Sequence, residues 1–491
     1  MSAAINENTA IDPKLGKKAM IASCCYMGLG QFAVLKQRVR GILLMIFEAW
    51  ILIDVLLGAF DVYIPGEVLD AIYDRGGFGN HFLCGFLEFI NTVFCSNTII
   101  FGLTGLVTLG SPSDPGTPVK DRDHSIFMMI NGLFVIIILA IFVYLYYSSI
   151  VSAKKEGEKI IKKGHFPSKL ETRNDLSQNA FPIIGMAPPV VMICFFTIIP
   201  LLFSALVAFT NYSSPDHIPP ANLVDWVGFE NFRTMFSLTS SSGWFNAFIR
   251  VSIWTVIWAI FATFTCFFLG FFFAVVLQDK RIKIPSFYRV IFIMPYAIPT
   301  MLSLFVWANL LNGTMGPINV MLNNIGLPSI PWLSNPTQAK VTLILVNMWI
   351  GFPYSMILIT SSMTAISRSM YEAAEIDGAS KWQQFKDITF PMVMYQLKPT
   401  LIMQFASNIN NFGAVFFLTG GGPSLMAGDR NLSISTQAGS TDLLISWIYK
   451  LTMNSNEYNI ACVLSILVFI VLVPFGLYNF MRTKSFKESE I

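Results

Sequence analysis

Long apolar runs separated by short polar or basic stretches set the pattern of this chain. A helix needs about 20 apolar residues to cross the ~30 Å hydrocarbon layer of a bilayer. Eight stretches meet that length: 40–60, 126–150, 186–210, 246–277, 287–311, 339–362, 399–418 and 459–481. The cleanest is the second, which contains FMMINGLFVIIILAIFVYLYY. A ninth stretch, 83–109, is apolar but interrupted by Gly85, Asn91, Asn97, Gly102 and Gly105, and reads as re-entrant or interfacial. The segment 20–35 is too short to span and is expected to lie against the membrane. The expected fold is all-α: a polytopic membrane protein of about eight transmembrane helices.

Composition supports this and removes the soluble alternatives. Of 491 residues 54% are hydrophobic and only 12% charged, about half the usual share of a globular domain. A net charge of +3 gives no reason to expect nucleic acid. Position matters more than total. With the N-terminus inside, 24 of the 32 Lys and Arg fall in the inside segments 1–40, 151–185, 278–289, 363–398 and 482–491. Positive residues favour the cytoplasmic side, so both termini are expected there. A full span at 83–109 would invert the basic connector 151–173, which is why eight spans are preferred. The polar N-terminus has no early apolar segment, so no cleaved signal peptide is expected. The chain divides near residue 180. Residues 1–180 hold a cytoplasmic tail, two spans and the connector, and 181–491 hold six spans with an external loop at 211–245.

The catalytic inventory is poor. There is no GxxxxGK[ST] phosphate loop, HExxH or GxSxG, so ATP hydrolysis by this chain is not expected. Seven Cys without a CxxC and four His argue against metal centres and disulfides. Glu48 and Asp54 lie inside the first span and are read as packing or snorkelling groups rather than a proton relay. Polar residues recur at helical spacing in three later spans: Gln404, Ser407, Asn408 and Asn411; Asn347, Ile350, Gly351 and Tyr354; Tyr296 and Thr300. Amides and tyrosines suit sugar hydroxyls and sugar faces, but such stripes also glue helices together, and spacing alone leaves both open.

The segment between the sixth and seventh spans, near 368–398, has readable local physics. Residues 368–376 are helix formers, and Gly378 can take the left-handed position that ends a helix. Ser380 and Gln383 have capping-box spacing for a second short helix, which Pro391 is expected to stop.

Glu372, Ala373, Ala374, Asp377, Gly378 and Ala379, followed by Phe385, Ile388 and Pro391, resemble the coupling loop of membrane subunits of binding-protein-dependent ABC importers. The resemblance implies a type I importer permease fold and docking of this loop on separate ATPase subunits. ATP would then be bound by those partners, and the chain would be neither an enzyme nor the holder of a cofactor. PYAIPT (295–300), WIGFPY (349–354), FASNINNFGAVFFLTGGGP (405–423) and AGSTDLLISWIYK (438–450) resemble the larger permease subunit of maltose/maltodextrin importers. With MGLGQ and two additional spans at the N-terminus, the likeness is to the Gram-positive form, without a large external domain.

That likeness implies a heterodimer with a second permease subunit, two ATPase subunits, an extracellular sugar-binding lipoprotein or other binding protein, and an oligosaccharide substrate, all at the cell membrane. It also implies that Tyr296, Thr300, Asn347, Ile350, Gly351, Tyr354, Ser407, Asn408 and Asn411 match residues lining the maltose site. Ile350 and Ser407 stand where Leu and Phe are typical, and the missing aromatic at Ser407 points toward a longer or different glucan. An importer of another oligosaccharide, such as galacto-oligosaccharides, is the nearest rival. A membrane-embedded glycosyltransferase would need an acidic pair near an interface, whereas Glu372 and Asp377 sit in a capped loop. A sensor or scaffold subunit would tolerate loss of the polar stripes.

Overall fold

A computed structural model describes residues 12–59, 99–112, 122–167, 185–237, 243–279, 281–427 and 430–481. It forms two compact units, one of residues 1–206 with 215–225 and one of 207–214 with 226–491. Most of the predicted interrupted stretch, 83–98, and most of the basic connector beyond 167 lie outside the described residues.

The first unit contains α1 (Leu15–Cys25), α2 (Arg38–Ala59), α3 (Ile99–Thr108), α4 (Ser125–Lys163) and α5 (Gly185–Val207). Small residues let its helices approach closely. A Cβ on Gly157 would lie 2.5 Å from the Gly16 Cα, so α1 crosses α4 glycine on glycine. Gly102 of α3 meets α4 the same way, its missing Cβ 2.5 Å from Val135 Cγ2. The membrane-depth acids serve this packing. Glu48 accepts the Met27 N–H, and Asp54 accepts the Ile99 N–H at 2.7 Å, capping the positive end of α3. At 39 residues α4 far exceeds a bilayer's thickness; its last turns carry Lys159, Lys162 and Lys163 and end at Gly164 in the left-handed region.

The second unit continues with α6 (Glu230–Phe236), α7 (Trp244–Val276), α8 (Pro285–Ala297), α9 (Thr300–Leu310), α10 (Pro317–Asn324), α11 (Pro336–Thr364), α12 (Arg368–Ile376) and α13 (Lys381–Ile409). It closes with α14 (Phe412–Leu418), α15 (Leu432–Thr436), α16 (Leu444–Met453) and α17 (Tyr458–Met481). A two-residue antiparallel ladder pairs Met426 with Asn431. The central pillar is α7, against which α11 packs at Gly270, where a Cβ would lie 2.7 Å from the Met356 nitrogen.

Among the described residues five helices are long and apolar enough to cross a membrane, and seven spans result if two bent pairs are each counted as one. The predicted span 40–60 corresponds to α2, which is outside that set and carries Arg38, Arg40, Glu48 and Asp54.

Three local expectations need correction. The predicted span 287–311 is bent by 87° between α8 and α9. Pro299 drives Ile298 into extended backbone, so Tyr296 and Thr300 lie on either side of a corner rather than one turn apart. The span 399–418 is bent by 45° between α13 and α14, because Asn411 leaves the helix and caps the next one through the Ala414 N–H at 3.2 Å. The stripe from Gln404 to Asn411 therefore does not run along one helix. Pro391 does not stop the helix after Ser380. A π-turn at Phe385–Thr389 shifts the bonding register just before it, and α13 continues for another eighteen residues.

Candidate functional site

Three helices converge, α7 and α11 near their middles and α13 at its C-terminal end. Asn408 of α13 donates from Nδ2 to Thr263 Oγ1 of α7 at 3.0 Å, while its carbonyl accepts Trp258 Nε1–H at 3.0 Å. Asn347 of α11 lies against Cys266 of α7, with Nδ2 to Sγ at 3.7 Å and Sγ to the Asn347 carbonyl at 3.6 Å. Asn411 Nδ2 reaches Asn408 Oδ1 at 3.5 Å. Two asparagines and a threonine thus face one another where the surrounding surface is apolar. In such a medium polar groups pair with each other unless a ligand offers something better.

Two turns along α11 from Asn347 stands an aromatic pair. The rings of Tyr296 and Tyr354 lie 5.8 Å apart at 33°, and both remain substantially exposed, 49% and 37%. Thr300 and Ser407 are also exposed. Ile350 is buried in an apolar cluster with Trp258, Leu304, Val346 and Ala414. Its side chain is core, and an Ile in place of a Leu there is a packing change. The missing Cβ of Gly351 faces Cys266, at 2.8 Å from Sγ, so this glycine serves contact between α11 and α7. The site residues thus fall into an amide junction, a tyrosine pair, two exposed hydroxyls and a packing pair.

Trp258, Thr263 and Cys266 were not singled out by sequence reasoning. They sit on α7, whose uniform apolarity hides three partners of the asparagines. A polar or indole group one to two turns apart in an otherwise apolar helix was the available signal.

The loop after α11 forms as its caps demand. Gly378 has φ +76°; its N–H reaches the Glu375 carbonyl at 3.2 Å, and the Ala379 N–H reaches the Ala374 carbonyl at 2.8 Å, a Schellman closure. Ser380 and Gln383 form the reciprocal capping box. Glu372 pairs with Arg368 at 3.0 Å and Glu375 with Lys381 at 2.5 Å, all on the surface. Ala373 is exposed, Ala374 and Ala379 are partly covered, and Asp377 is the exposed C-cap of α12. Ile376 (86% exposed) and Trp382 (69%) project from the same polar segment.

The loop's other side is anchored. Tyr371 hydrogen-bonds Thr389 at 2.9 Å, and Phe385 meets the Phe271 ring of α7 edge-on at 5.5 Å. Tyr371, Phe385, Ile388 and Phe390 pack on a core of Phe267, Phe271, Met356 and Met363 from α7 and α11. The loop is thereby packed on α7 and α11, the helices that carry Cys266 and its partner Asn347.

Apolar helices, two pairs of them sharply bent, with amides set among them and a capped polar loop between α11 and α13, define a polytopic membrane subunit. Residues 266–484 match the family described as "Binding-protein-dependent transport system inner membrane component". The galactooligosaccharides transport system permease protein GanP of Bacillus subtilis is 34% identical over 388 residues, covering 79% of this chain and 88% of that one. The maltodextrin permease protein MalC of Streptococcus pneumoniae is 35% identical over 399 residues, covering 79% and 87%. The maltodextrin permease protein MdxF of Bacillus subtilis is 35% identical over 417 residues, covering 82% and 91%. The chain belongs to the binding-protein-dependent transport system inner membrane component family, the permease subunits of ABC importers.

Proposed function

We propose that this subunit carries an α-linked gluco-oligosaccharide of the maltodextrin type into the cell, as one half of a heterodimeric permease in the cell membrane with both termini cytoplasmic. The observation that carries the reading is the junction of Asn347, Asn408 and Asn411, with the exposed Tyr296–Tyr354 pair two turns along α11 from Asn347. Tyrosine faces can receive sugar rings, and amides that pair with each other at rest can exchange those bonds for hydroxyls that have left water. Thr300 and Ser407 would add hydroxyl contacts from the exposed surface. One of two ATPase subunits would dock on Glu372–Ala379, the ATPase pair would bind the ATP, and an extracellular binding protein would deliver the sugar. The chain itself would need no cofactor and catalyse no reaction.

A galacto-oligosaccharide is the second reading. It is favoured by GanP, whose identity to this chain matches that of the maltodextrin permeases within a percent, and by the exposed Ser407. Cells lacking only this gene are tested with labelled maltotriose and labelled galactotriose. Selective loss of maltotriose uptake is expected; selective loss of galactotriose uptake would overturn the maltodextrin reading in favour of the second.

A further inference from the structure

Away from the amide junction, the second unit holds an ion pair whose carboxylate is buried and whose lysine is mostly covered. Asp442 is fully buried, and Lys450 reaches its Oδ2 at 2.7 Å. The same carboxylate accepts the Gly439 N–H at 2.6 Å and the Ser446 hydroxyl at 2.8 Å. A Cβ on Gly421, which has φ +80°, would collide with Asp442 and with Lys450, so the TGGGP turn is wrapped directly on the pair. The wrapping continues through Thr441, whose hydroxyl bonds the Gly422 carbonyl at 2.5 Å and lies 2.8 Å from Thr419 Oγ1. Such a pair is costly to bury, and its retention calls for a role that an apolar plug would not fill.

Its connections indicate that role. Thr419 is the C-cap of α14, the half-helix that Asn411 opens. The side of α14 is held by Tyr449 of α16, 4.8 Å from the Phe412 ring and 5.1 Å from Phe416. Trp254 of α7 donates to the Thr441 carbonyl at 3.1 Å, and one turn further along α7 Trp258 donates to the Asn408 carbonyl. Both ends of the bent segment 408–419 are thus fastened to α7, one through Thr441 and the other through Asn408.

We propose that Asp442 and Lys450 are positioning residues for the sugar site: they clamp the far end of α14, and so set where Asn411 and Asn408 present their amides. This rests on the sugar-site reading above. Loosening the clamp would let α14 swing about the break at Asn410, altering which oligosaccharide lengths fit without removing any residue that touches them.

The test uses the assembled importer in proteoliposomes with saturating loaded binding protein, comparing maltose with maltoheptaose transport per assembled complex. Asp442→Asn/Lys450→Met removes both charges at similar size, so neither is left buried alone. The ratio of the two rates is expected to change by about threefold or more in this variant and to stay at the wild-type value in Lys450→Arg, which keeps the pair. Thr441→Val, which cuts the tie to Thr419 and leaves both charges in place, is expected to shift the ratio in the same direction and serves if the double variant does not assemble. A merely structural role would lower the amount of complex and leave the ratio unchanged, and an unchanged ratio overturns the proposal. Asn408→Ala measured alongside separates the two readings. If it alone shifts the ratio, the positioning role fails and the sugar site stands; if no variant shifts it, both fail.

Discussion

The capped loop after α11 and the amide junction are both tied to α7 and α11 but are held together in opposite ways. In the loop the bonds that close its turns span six residues or fewer: the Schellman closure of Gly378 and Ala379, the Ser380–Gln383 box and the Glu375–Lys381 pair, with Tyr371–Thr389 reaching across 18. At the junction the defining bonds span 81 to 150 residues, from Cys266 to Asn347, Thr263 to Asn408 and Trp258 to Asn408. A locally closed loop keeps its shape while the helices behind it move, which suits a part that transmits force. A junction built from three separate helices changes whenever they shift, which suits a part that must bind and then release.

The sharpest way to break the loop half of this contrast is Gly378→Val. No atom lies within 4 Å of the Cβ it would add, so the whole effect is the backbone at φ +76°, about 1–2 kcal/mol or more for a β-branched residue. Uptake is expected to be lost while the chain still inserts and assembles. Stimulation of the ATPase by loaded binding protein reads this out, and normal stimulation would contradict the coupling role.

At the junction the corresponding break is steric. Gly351→Ala places a methyl 2.8 Å from Cys266 Sγ and is expected to destabilise the α7–α11 contact by roughly 1–3 kcal/mol. Cys266→Ala in the same chain should restore most of that loss. Thermal stability of the detergent-solubilised complex measures both, and additive losses would show that the two residues do not share a contact.

A smaller effect is expected from Ser380→Ala, which removes one half of the capping box at about 1 kcal/mol. Because the loop is also closed by the Gly378 turn and anchored by Phe385, uptake should fall only modestly. Amide exchange should rise locally over 380–384 and nowhere in α11.

The same contrast explains what the sequence could reveal. Gly378, Ser380 and Gln383 were legible because their conformations are decided by neighbours in the chain. The spans were legible because apolar length is a local sum. What failed was continuity through three points: Pro299 and Asn411 break helices that composition reads as single, and Pro391 is carried by a π-turn that leaves no compositional trace. Ile350 and Gly351 share a face with Asn347 on a helical wheel, yet one is core and the other a contact surface for Cys266. Which side of α11 meets α7 is a tertiary fact. Trp258, Thr263 and Asp442 were overlooked for the same reason, since each matters through a partner far away in sequence.

On the proposed function, the amides of the junction handle sugar rather than only join helices. Transport per assembled complex in Asn408→Ala and Tyr354→Ala, with binding protein saturating, tests it directly. A fall of about tenfold or more is expected in each, equivalent to a lost sugar contact of about 1.4 kcal/mol, with basal ATPase activity retained. Fewer assembled complexes that each transport at the wild-type rate would contradict it, and would leave the asparagines and tyrosines as helix-joining residues.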